Sequence, residues 1–248
     1  MCGFAGFYKK GINEVDADKL LESMANTIYH RGPDKGGAWF NIDNGIGFAH
    51  RRLAIVDVSE AGDQPMLSQS GNLILAFNGE IYNHLELRAE LGKSGYQVNW
   101  KGHSDTETLV EAMEKWGVKK TLEKAIGMFS FSLLDSAKKE LYLARDRFGE
   151  KPLYYGWHGD AFIFGSELKA LQTYSGFKKR LNRDSLTLLL RHNYIPAPYS
   201  IYQGIRKLIP GSLLTIPLSA AEGSRGAQAQ SEPEPYWSLA QVAEAGCS

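Results

Sequence analysis

The chain has 248 residues, 43% of them hydrophobic, and its 28 basic side chains are balanced by 28 acidic ones. This length can bury a large core as one sizeable domain, and the zero net charge gives no overall field that would favour nucleic acid or an anionic membrane as a partner. No apolar run approaches the roughly 20 residues that cross a bilayer, and the charged residues from Lys9 onward argue against a signal peptide.

The chain opens with Met1 and Cys2, directly before an apolar strand predicted over Gly3–Tyr8. Removal of Met1 would leave Cys2 with both a thiol and a free α-amine. The thiol is a strong nucleophile, and an α-amine titrates at about 7.7–8.0, so it can act as a base near neutral pH. This combination is typical of N-terminal nucleophile enzymes. The alternative interpretation is that Cys2 is a small buried apolar residue beside a first strand.

Cysteine usage limits the compartment and the chemistry. The two cysteines, Cys2 and Cys247, lie at opposite ends of the chain, so the sequence predicts no disulfide framework. No group of Cys and His residues has metal-ligand spacing, and no metal site is expected. A nucleophilic thiol requires a reducing environment, which predicts a cytoplasmic location.

A helix and a hairpin are predicted next. Apolar residues recur with helical spacing over Asp16–Tyr29. The turn signal Asn44-Gly45 separates two strand-like runs, Ala38–Ile42 and Ile46–Val56. These two runs are therefore expected to pair as an antiparallel hairpin.

Two neighbouring arginines, Arg51 and Arg52, lie on the second strand of this hairpin. Side chains alternate along a strand, so only one of the two can enter a given site while the other is solvated. A guanidinium binds both oxygens of a carboxylate in one plane. Arg52 is therefore a candidate for binding a substrate carboxylate, and the alternative is an ordinary surface arginine.

A further candidate site follows the apolar strand predicted over Leu73–Phe77. Asn78, Gly79 and Glu80 are expected to form a turn at its end. There the Asn78 amide and the Gly79 N–H could point together at a developing oxyanion, while Glu80 and Asp105 could hold an ammonium group. The alternatives are an ordinary Asn-Gly turn and, for Asp105, a charge that stabilises a helix terminus.

The second half is predicted to be rich in strands and to end in a linker. Ser104–Glu107 is a capping box that opens a helix reaching Trp116. The polar stretch Ser219–Pro235 predicts a linker, which divides the chain into a domain over 1–217 and, over 218–248, a linker with the start of a following domain. Further strands are expected at Met128–Leu134, Glu140–Arg145, Leu153–Trp157 and Ala161–Gly165.

Motifs spread over the chain up to about residue 217 match one known family in order. They are Met1-Cys2-Gly3, His30–Asp34, His50–Asp57, Asn78–His84, Ser104–Glu107, Ala144–Tyr155, Ser166–Ala170 and Tyr194–Pro198. Together they resemble the class II glutamine amidotransferases, and within them the N-terminal glutaminase domain of glutamine-hydrolysing asparagine synthetases. The Lys-Pro-Leu-Tyr-Tyr segment favours the asparagine synthetase branch.

The resemblance implies a fold and a set of roles. The expected fold class is α+β, a four-layer αββα sandwich of two mainly antiparallel sheets. Cys2 is expected to be the nucleophile with its own amine as base, and Asn78 and Gly79 are expected to form the oxyanion hole. The substrate-binding residues that the resemblance implies are Arg52, Leu53, Ala54, Ile55, Val56, Asn78, Gly79, Glu80 and Asp105.

The implied reaction is hydrolysis of L-glutamine to L-glutamate and ammonia. The ammonia would serve ATP-dependent amidation of aspartate or another carboxylate by a synthetase domain, in cis or in trans. No Ser-Gly-Gly-x-Asp loop of such a domain occurs in this sequence, so no cofactor is expected here, and ATP and Mg are expected only in the synthetase domain. A catalytically silent glutamine-binding or docking module is the alternative, and a homodimer is left open.

Overall fold

The computed structural model describes residues 1–218 and 232–246, and within them the chain forms two six-stranded sheets. The strands are β1 (Gly3–Tyr8), β2 (Lys35–Asn41), β3 (Ile46–Arg52), β4 (Met66–Leu67), β5 (Leu73–Ile81), β6 (Gly127–Asp135), β7 (Glu140–Arg145), β8 (Tyr154–His158), β9 (Ala161–Gly165), β10 (Ile205–Lys207), β11 (Ser212–Pro217) and β12 (Glu234–Pro235). The helices are α1 (Glu14–Thr27), α2 (His84–Lys93), α3 (Asp105–Trp116), α4 (Val118–Lys124), α5 (Leu168–Leu171), α6 (Arg183–His192) and α7 (Leu239–Gly246).

Both sheets are antiparallel. The first has the strand order β10-β8-β9-β1-β3-β2, and the second has the order β12-β11-β7-β6-β5-β4. Strand β1 lies inside the first sheet between β9 and β3, where all six of its residues are buried. This explains its unbroken apolar sequence, because a strand covered on both faces has no polar side.

Three apolar cores separate four layers. Between the sheets, Phe4 and Tyr8 from β1 pack with side chains of the second sheet such as Leu134. The neighbouring residues Ala5 and Phe7 point the other way, onto α1 and α5, as the two-residue period of a strand requires. Helices α2, α3 and α4 cover the outer face of the second sheet. The predicted αββα sandwich is therefore confirmed.

The first helix begins earlier than its apolar spacing indicated. Asn13 caps it, accepting a hydrogen bond from the Asp16 N–H on its side-chain oxygen at 2.9 Å, and the helix runs from Glu14 to Thr27. An Asn at this position satisfies one of the free N–H groups of the first turn. Tyr29–Arg31 then forms a separate 3₁₀ turn.

Strand β2 begins three residues before the predicted Ala38, and β6 and β8 differ by one residue at each end from the predicted runs. Two further predicted strand ends are wrong, and both lie at the site. Strand β3 stops at Arg52 rather than at Val56, and the next N–H groups leave the ladder, since Leu53 N–H donates to the Cys2 sulfur and Ala54 N–H to Asp34. Strand β5 does not end at Phe77 but continues through the expected turn to Ile81.

Most of the predicted linker, residues 219–231, lies outside the described residues. After it, Glu234 and Pro235 pair with β11, and the Trp237 ring packs on Phe148 with centroids 5.4 Å apart. Glu234 and Pro235 therefore belong to the second sheet, while the division at residue 217 stays a prediction. No helix within the described ranges is long and apolar enough to cross a membrane.

Candidate active site

A cleft with a volume of about 110 Å³ lies where β1 begins, β3 ends and α3 starts. It brings together nearly all the side chains that the sequence singled out. Ala54 is the exception, since it does not line the cleft and its N–H donates to Asp34 Oδ2 at 2.9 Å. The predicted residues that do line it are Cys2, Arg52, Leu53, Ile55, Val56, Asn78, Gly79, Glu80 and Asp105.

The Cys2 thiol is half-buried beside the residue that follows β3. Its sulfur accepts a hydrogen bond from Leu53 N–H at 3.4 Å and lies 3.6 Å from the Leu53 carbonyl oxygen. Burial raises the pKa of the thiol, although the Leu53 N–H and the charge of Arg52 act in the opposite direction. The thiol is therefore protonated near neutral pH and needs a base before it can attack.

Backbone N–H groups of β5 face the cleft at every second residue. On this edge β4 reaches only Ile74 and Leu75, so the later residues have no neighbouring strand. The Phe77 N–H donates to Gln64 Oε1 at 2.6 Å, and the Ile81 N–H donates to Asp105 Oδ2 at 2.8 Å.

Gly79 lies midway between these two residues, and its N–H faces the same edge. Its partner across the ladder, Phe129, uses its own N–H and carbonyl for Asp146 instead, so Gly79 belongs to a non-hydrogen-bonded pair of β5 and β6. The adjacent Asn78 Nδ2 is buried and has no partner among the described residues. Two donors, one from a side chain and one from the backbone, are thus left free beside each other.

Glycine at position 79 is required by a close approach of two strands. A Cβ atom there would lie 2.3 Å from the carbonyl oxygen of Met128 and 2.6 Å from the Phe129 Cβ. The predicted Asn-Gly turn is therefore wrong, because this glycine lets β5 and β6 pack closely rather than reversing the chain. The expected pair of donors nevertheless exists, and a regular strand positions it.

Arg52 is buried at the cleft wall and already makes several hydrogen bonds. Its Nη1 donates to the Ser59 carbonyl and to Asp63 Oδ1, both at 2.8 Å, and its Nη2 donates to the Asp57 carbonyl. A guanidinium has five N–H donors. The donors on Nε and one on Nη2 remain, which is enough for the two oxygens of a carboxylate.

Arg51 points to the opposite face, as predicted. Its Nη2 donates to Asn26 Oδ1 at 2.6 Å, and its guanidinium stacks on the Tyr29 ring 5.2 Å away. It thus packs against the end of α1, on the outer side of the first sheet. The alternation of the two arginines is confirmed.

Asp105 is the first residue of α3 and is buried. Ser104 caps the helix, accepting a hydrogen bond from Glu107 N–H at 3.1 Å. The other half of the capping box does not form, because the Glu107 carboxylate accepts from Lys101 and Gly102 N–H instead. Burial raises the pKa of Asp105, and the hydrogen bond from Ile81 opposes that rise.

Comparison with known proteins assigns the chain to a family. Residues 1–230 match the model of the glutamine amidotransferase domain. The chain belongs to this family. It is 35% identical over 226 residues to a putative glutamine-hydrolysing asparagine synthetase 2 of Methanocaldococcus jannaschii, covering 84% of this chain and 42% of that protein.

A second curated relative agrees with this assignment, and a solved structure shows the same fold. Asparagine synthetase 1 of Bacillus subtilis is 38% identical over 218 residues, which cover 87% of this chain and 33% of the relative. The chain therefore spans well under half the length of these relatives. A glutamine phosphoribosylpyrophosphate amidotransferase of B. subtilis has the same fold, with a TM-score of 0.65, 20% identity, and coverage of 95% of this chain and 49% of that one.

Asp57, which the sequence did not single out, connects the loop after β3 to the segment that leads into α3. Asp57 Oδ1 accepts hydrogen bonds from the Ser59 hydroxyl and N–H, and Oδ2 accepts from His103 N–H at 2.9 Å. The Ser59 hydroxyl is the main cause that lowers the pKa of Asp57 to about 2. Because His103 leads into α3, Asp57 links the loop that holds Arg52 to the helix that carries Asp105.

His50 was missed in the same way, although it lies next to the arginine pair. It is fully buried between the sheets, and its Nε2 lies 3.0 Å from the Phe77 carbonyl oxygen. A carbonyl only accepts, so Nε2 carries a proton and donates it to the Phe77 carbonyl. Burial lowers the pKa of His50 to about 4. His50 thus links β5, the strand that carries Asn78 and Gly79, to the first sheet.

Proposed function

We propose that this amidotransferase domain hydrolyses L-glutamine with Cys2 as nucleophile. The ammonia then serves a synthetase domain, in cis or in trans, for ATP-dependent amidation of a carboxylate, either aspartate or another acid. The observation that carries the proposal is the pair of free donors, Asn78 Nδ2 and Gly79 N–H, in the same cleft as the only cysteine among the described residues.

The reaction begins with a proton transfer. Once Met1 is removed, the α-amine of Cys2 takes the thiol proton, and the thiolate attacks the side-chain amide carbon of glutamine. The carbonyl oxygen becomes an oxyanion, which Asn78 and Gly79 stabilise with hydrogen bonds. The protonated amine then donates its proton to the departing nitrogen, and ammonia leaves a γ-glutamyl thioester on Cys2.

The second half of the reaction reverses these roles. The amine takes a proton from water, and the resulting hydroxide attacks the thioester carbonyl through the same oxyanion site. Collapse of this intermediate expels the Cys2 thiolate, which recovers its proton, and releases L-glutamate. The nucleophile, base and oxyanion donors are all supplied by this chain.

The other end of glutamine is bound by charge. The free donors of Arg52 bind the α-carboxylate, and Glu80 and Asp105 accept hydrogen bonds from the α-ammonium. Both kinds of contact are charge-assisted and are therefore stronger than neutral hydrogen bonds. Ile55 and Val56 supply apolar wall beside the carbon chain.

The acceptor of ammonia is proposed from the relatives. The two curated relatives described above carry names of asparagine synthetases, which favours aspartate. ATP and Mg would act in the synthetase domain, and no step in this domain uses them.

Substitution of the nucleophile tests the proposal. Cys2→Ser should nearly abolish glutamate release while glutamine still binds, because a hydroxyl is a far weaker nucleophile near neutral pH. Glutamate release is measured in a coupled assay and binding by calorimetry. Wild-type protein that binds glutamine without hydrolysing it would support the alternative, a silent binding module.

Retention of Met1 gives a second test. A retained Met1 turns the Cys2 nitrogen into an amide without useful basicity, so this form should be inactive. Mass spectrometry of fractions with and without Met1, paired with the same assay, checks this. Equal turnover in the two forms would refute the amine as base.

A further inference from the structure

One charged side chain in the cleft has no part in the mechanism described so far. Lys151 is 5% exposed and lines the cleft together with Cys2. Its Nζ donates to the Met1 sulfur at 3.3 Å, and no carboxylate of the described residues lies within ion-pair distance. An ammonium on a largely buried side chain, with a thioether as its only hydrogen-bond partner among the described residues, is costly, so its position needs an explanation.

The loop that carries Lys151 is held rigidly. Arg145 donates from Nε to the Lys151 carbonyl at 2.7 Å and from Nη1 to the Leu208 carbonyl at 2.8 Å. The Lys151 N–H donates to Asp146 Oδ2 at 2.9 Å. Within the motif Ala144–Tyr155, the side chains of Arg145 and Asp146 therefore hold the backbone of Lys151, whose side chain lines the cleft.

Resting on the function proposed above, we propose that Lys151 places a positive charge beside the α-amine of Cys2 and thereby keeps that amine in its unprotonated, basic form. In this role Lys151 does not contact glutamine. It acts on the reaction only through the Cys2 amine and is therefore a positioning residue. Its partner is the group that Met1 removal creates. The Met1 sulfur, which accepts the hydrogen bond of Lys151 in the structure, is lost in the same step.

The cleft needs such a charge because of its other ionisable groups. Glu80 on β5, Asp105 on α3 and Asp57 on the loop after β3 all line it, and Arg52 is the other cation. Carboxylates suited to hold the ammonium of glutamine also stabilise a protonated Cys2 amine, which cannot act as a base. The Arg52 charge is partly compensated by its ion pair with Asp63, whereas Lys151 forms no ion pair with a carboxylate of the described residues.

The pH dependence of kcat/KM tests the proposal in protein that lacks Met1. In Lys151→Met the acid limb should move to higher pH by roughly one unit, since a like charge close by lowers the pKa of an amine. At the alkaline plateau the variant should stay within about threefold of wild type. Lys151→Arg keeps the charge and should restore the wild-type limb, and Lys138→Met, in the exposed β6–β7 turn, should leave the profile unchanged.

An NMR titration of the Cys2 amine tests the proposal even if a variant turns over too slowly for a pH profile. The chain has only two cysteines, so ¹³C-cysteine gives two sets of signals, and the Cys2 Cα shift reports protonation of its amine. The amine should titrate at higher pH in Lys151→Met than in wild type or Lys151→Arg. An unmoved amine titration, or a lower plateau with an unmoved acid limb, would overturn the proposal. An inactive Met1-free wild type would instead contradict the glutaminase function itself.

Discussion

The polar groups of the cleft form two sets that differ in their hydrogen bonding. In the first set, Asn78 Nδ2 and Gly79 N–H have no partners among the described residues. In the second set, Arg52 and Asp105 are already hydrogen-bonded to the protein. The proposed mechanism accounts for the difference, because an oxyanion exists only during the reaction, whereas the charges of glutamine are present throughout.

The two sets of groups are also held in place by different contacts. The free donors lie on β5, which pairs with β6 along its whole length and is joined to the first sheet by the hydrogen bond between His50 and the Phe77 carbonyl. Arg52 ends a strand and faces an exposed apolar loop, in which Ile55 is 70% and Val58 is 81% exposed. Hydrogen bonds to Ser59, Asp57 and Asp63 therefore hold its guanidinium in position.

Removal of a free donor gives the most sensitive test of the difference between the two sets of groups. Asn78→Ala should lower kcat by about 10²–10³-fold, the usual effect of losing one oxyanion donor, with KM nearly unchanged. Steady-state kinetics measures both constants. Asn72→Ala, at the other end of β5, is the control and should stay within about threefold. A change confined to KM would mean that Asn78 contacts the bound substrate rather than the transition state.

Removing the Arg52 guanidinium tests the second set of groups. Arg52→Ala should lower kcat/KM for glutamine by about tenfold to over a hundredfold, since charge-assisted hydrogen bonds contribute roughly 1.5–3 kcal/mol. Most of the loss should appear in KM, because the α-carboxylate is held alike in the ground and transition states.

Arg51 provides the matched control. Arg51→Ala should change kcat/KM by less than about threefold. Arg52→Lys keeps the charge without the planar fork and should fall between Arg52→Ala and wild type. If Arg51→Ala were the more damaging substitution, the assignment of the two faces to substrate and helix would be refuted.

The support of the donor strand is tested by stability against pH. The pKa of His50 is lowered to about 4 in the folded state, against about 6.5 unfolded. Stability is therefore complete above pH 6.5 and falls as the pH drops toward 4, because only the unfolded chain takes up the proton. The slope is about 1.4 kcal/mol per unit, or about 2 kcal/mol between pH 6.5 and 5.

Urea denaturation at several pH values measures this loss. His50→Gln keeps a donor for the Phe77 carbonyl but does not titrate, so this part of the slope should disappear. His192→Gln, at the exposed end of α6, should retain the wild-type slope. An unchanged slope in His50→Gln would assign the acid sensitivity to other groups.

The smallest effect on kinetics is expected at Asp57, which joins the loop after β3 to the segment before α3. Asp57→Asn removes one charged acceptor shared by Ser59 and His103. It should raise KM for glutamine by about three- to tenfold, because one hydrogen bond contributes roughly 0.5–1.5 kcal/mol, while kcat stays within about threefold. Asp43→Asn, in the exposed β2–β3 turn, serves as control. A fall in kcat with KM unchanged would contradict the linking role.

Much of the fold could be predicted because local patterns report burial and capping. Strands β1, β7 and β9 have the bounds that their apolar sequences predicted, and the helix after Ser104 starts at its capping residue. The same reasoning failed at Asn78-Gly79. That dipeptide is frequent in turns, but here it lies in mid-strand, because Met128 leaves no room for a side chain at position 79.

The sequence by itself determined which chemical groups this domain possesses: a cysteine directly behind Met1, an Asn-Gly pair, and two arginines on opposite faces of one strand. Only the tertiary structure decided which of these groups are free to act. Whether the Gly79 N–H is available depends on its ladder position opposite Phe129 and on how far β4 extends. Whether Lys151 enters the cleft depends on a loop held by Arg145 and Asp146. Hydrogen-bond partners and strand edges come from distant parts of the chain, and no local pattern of residues encodes them.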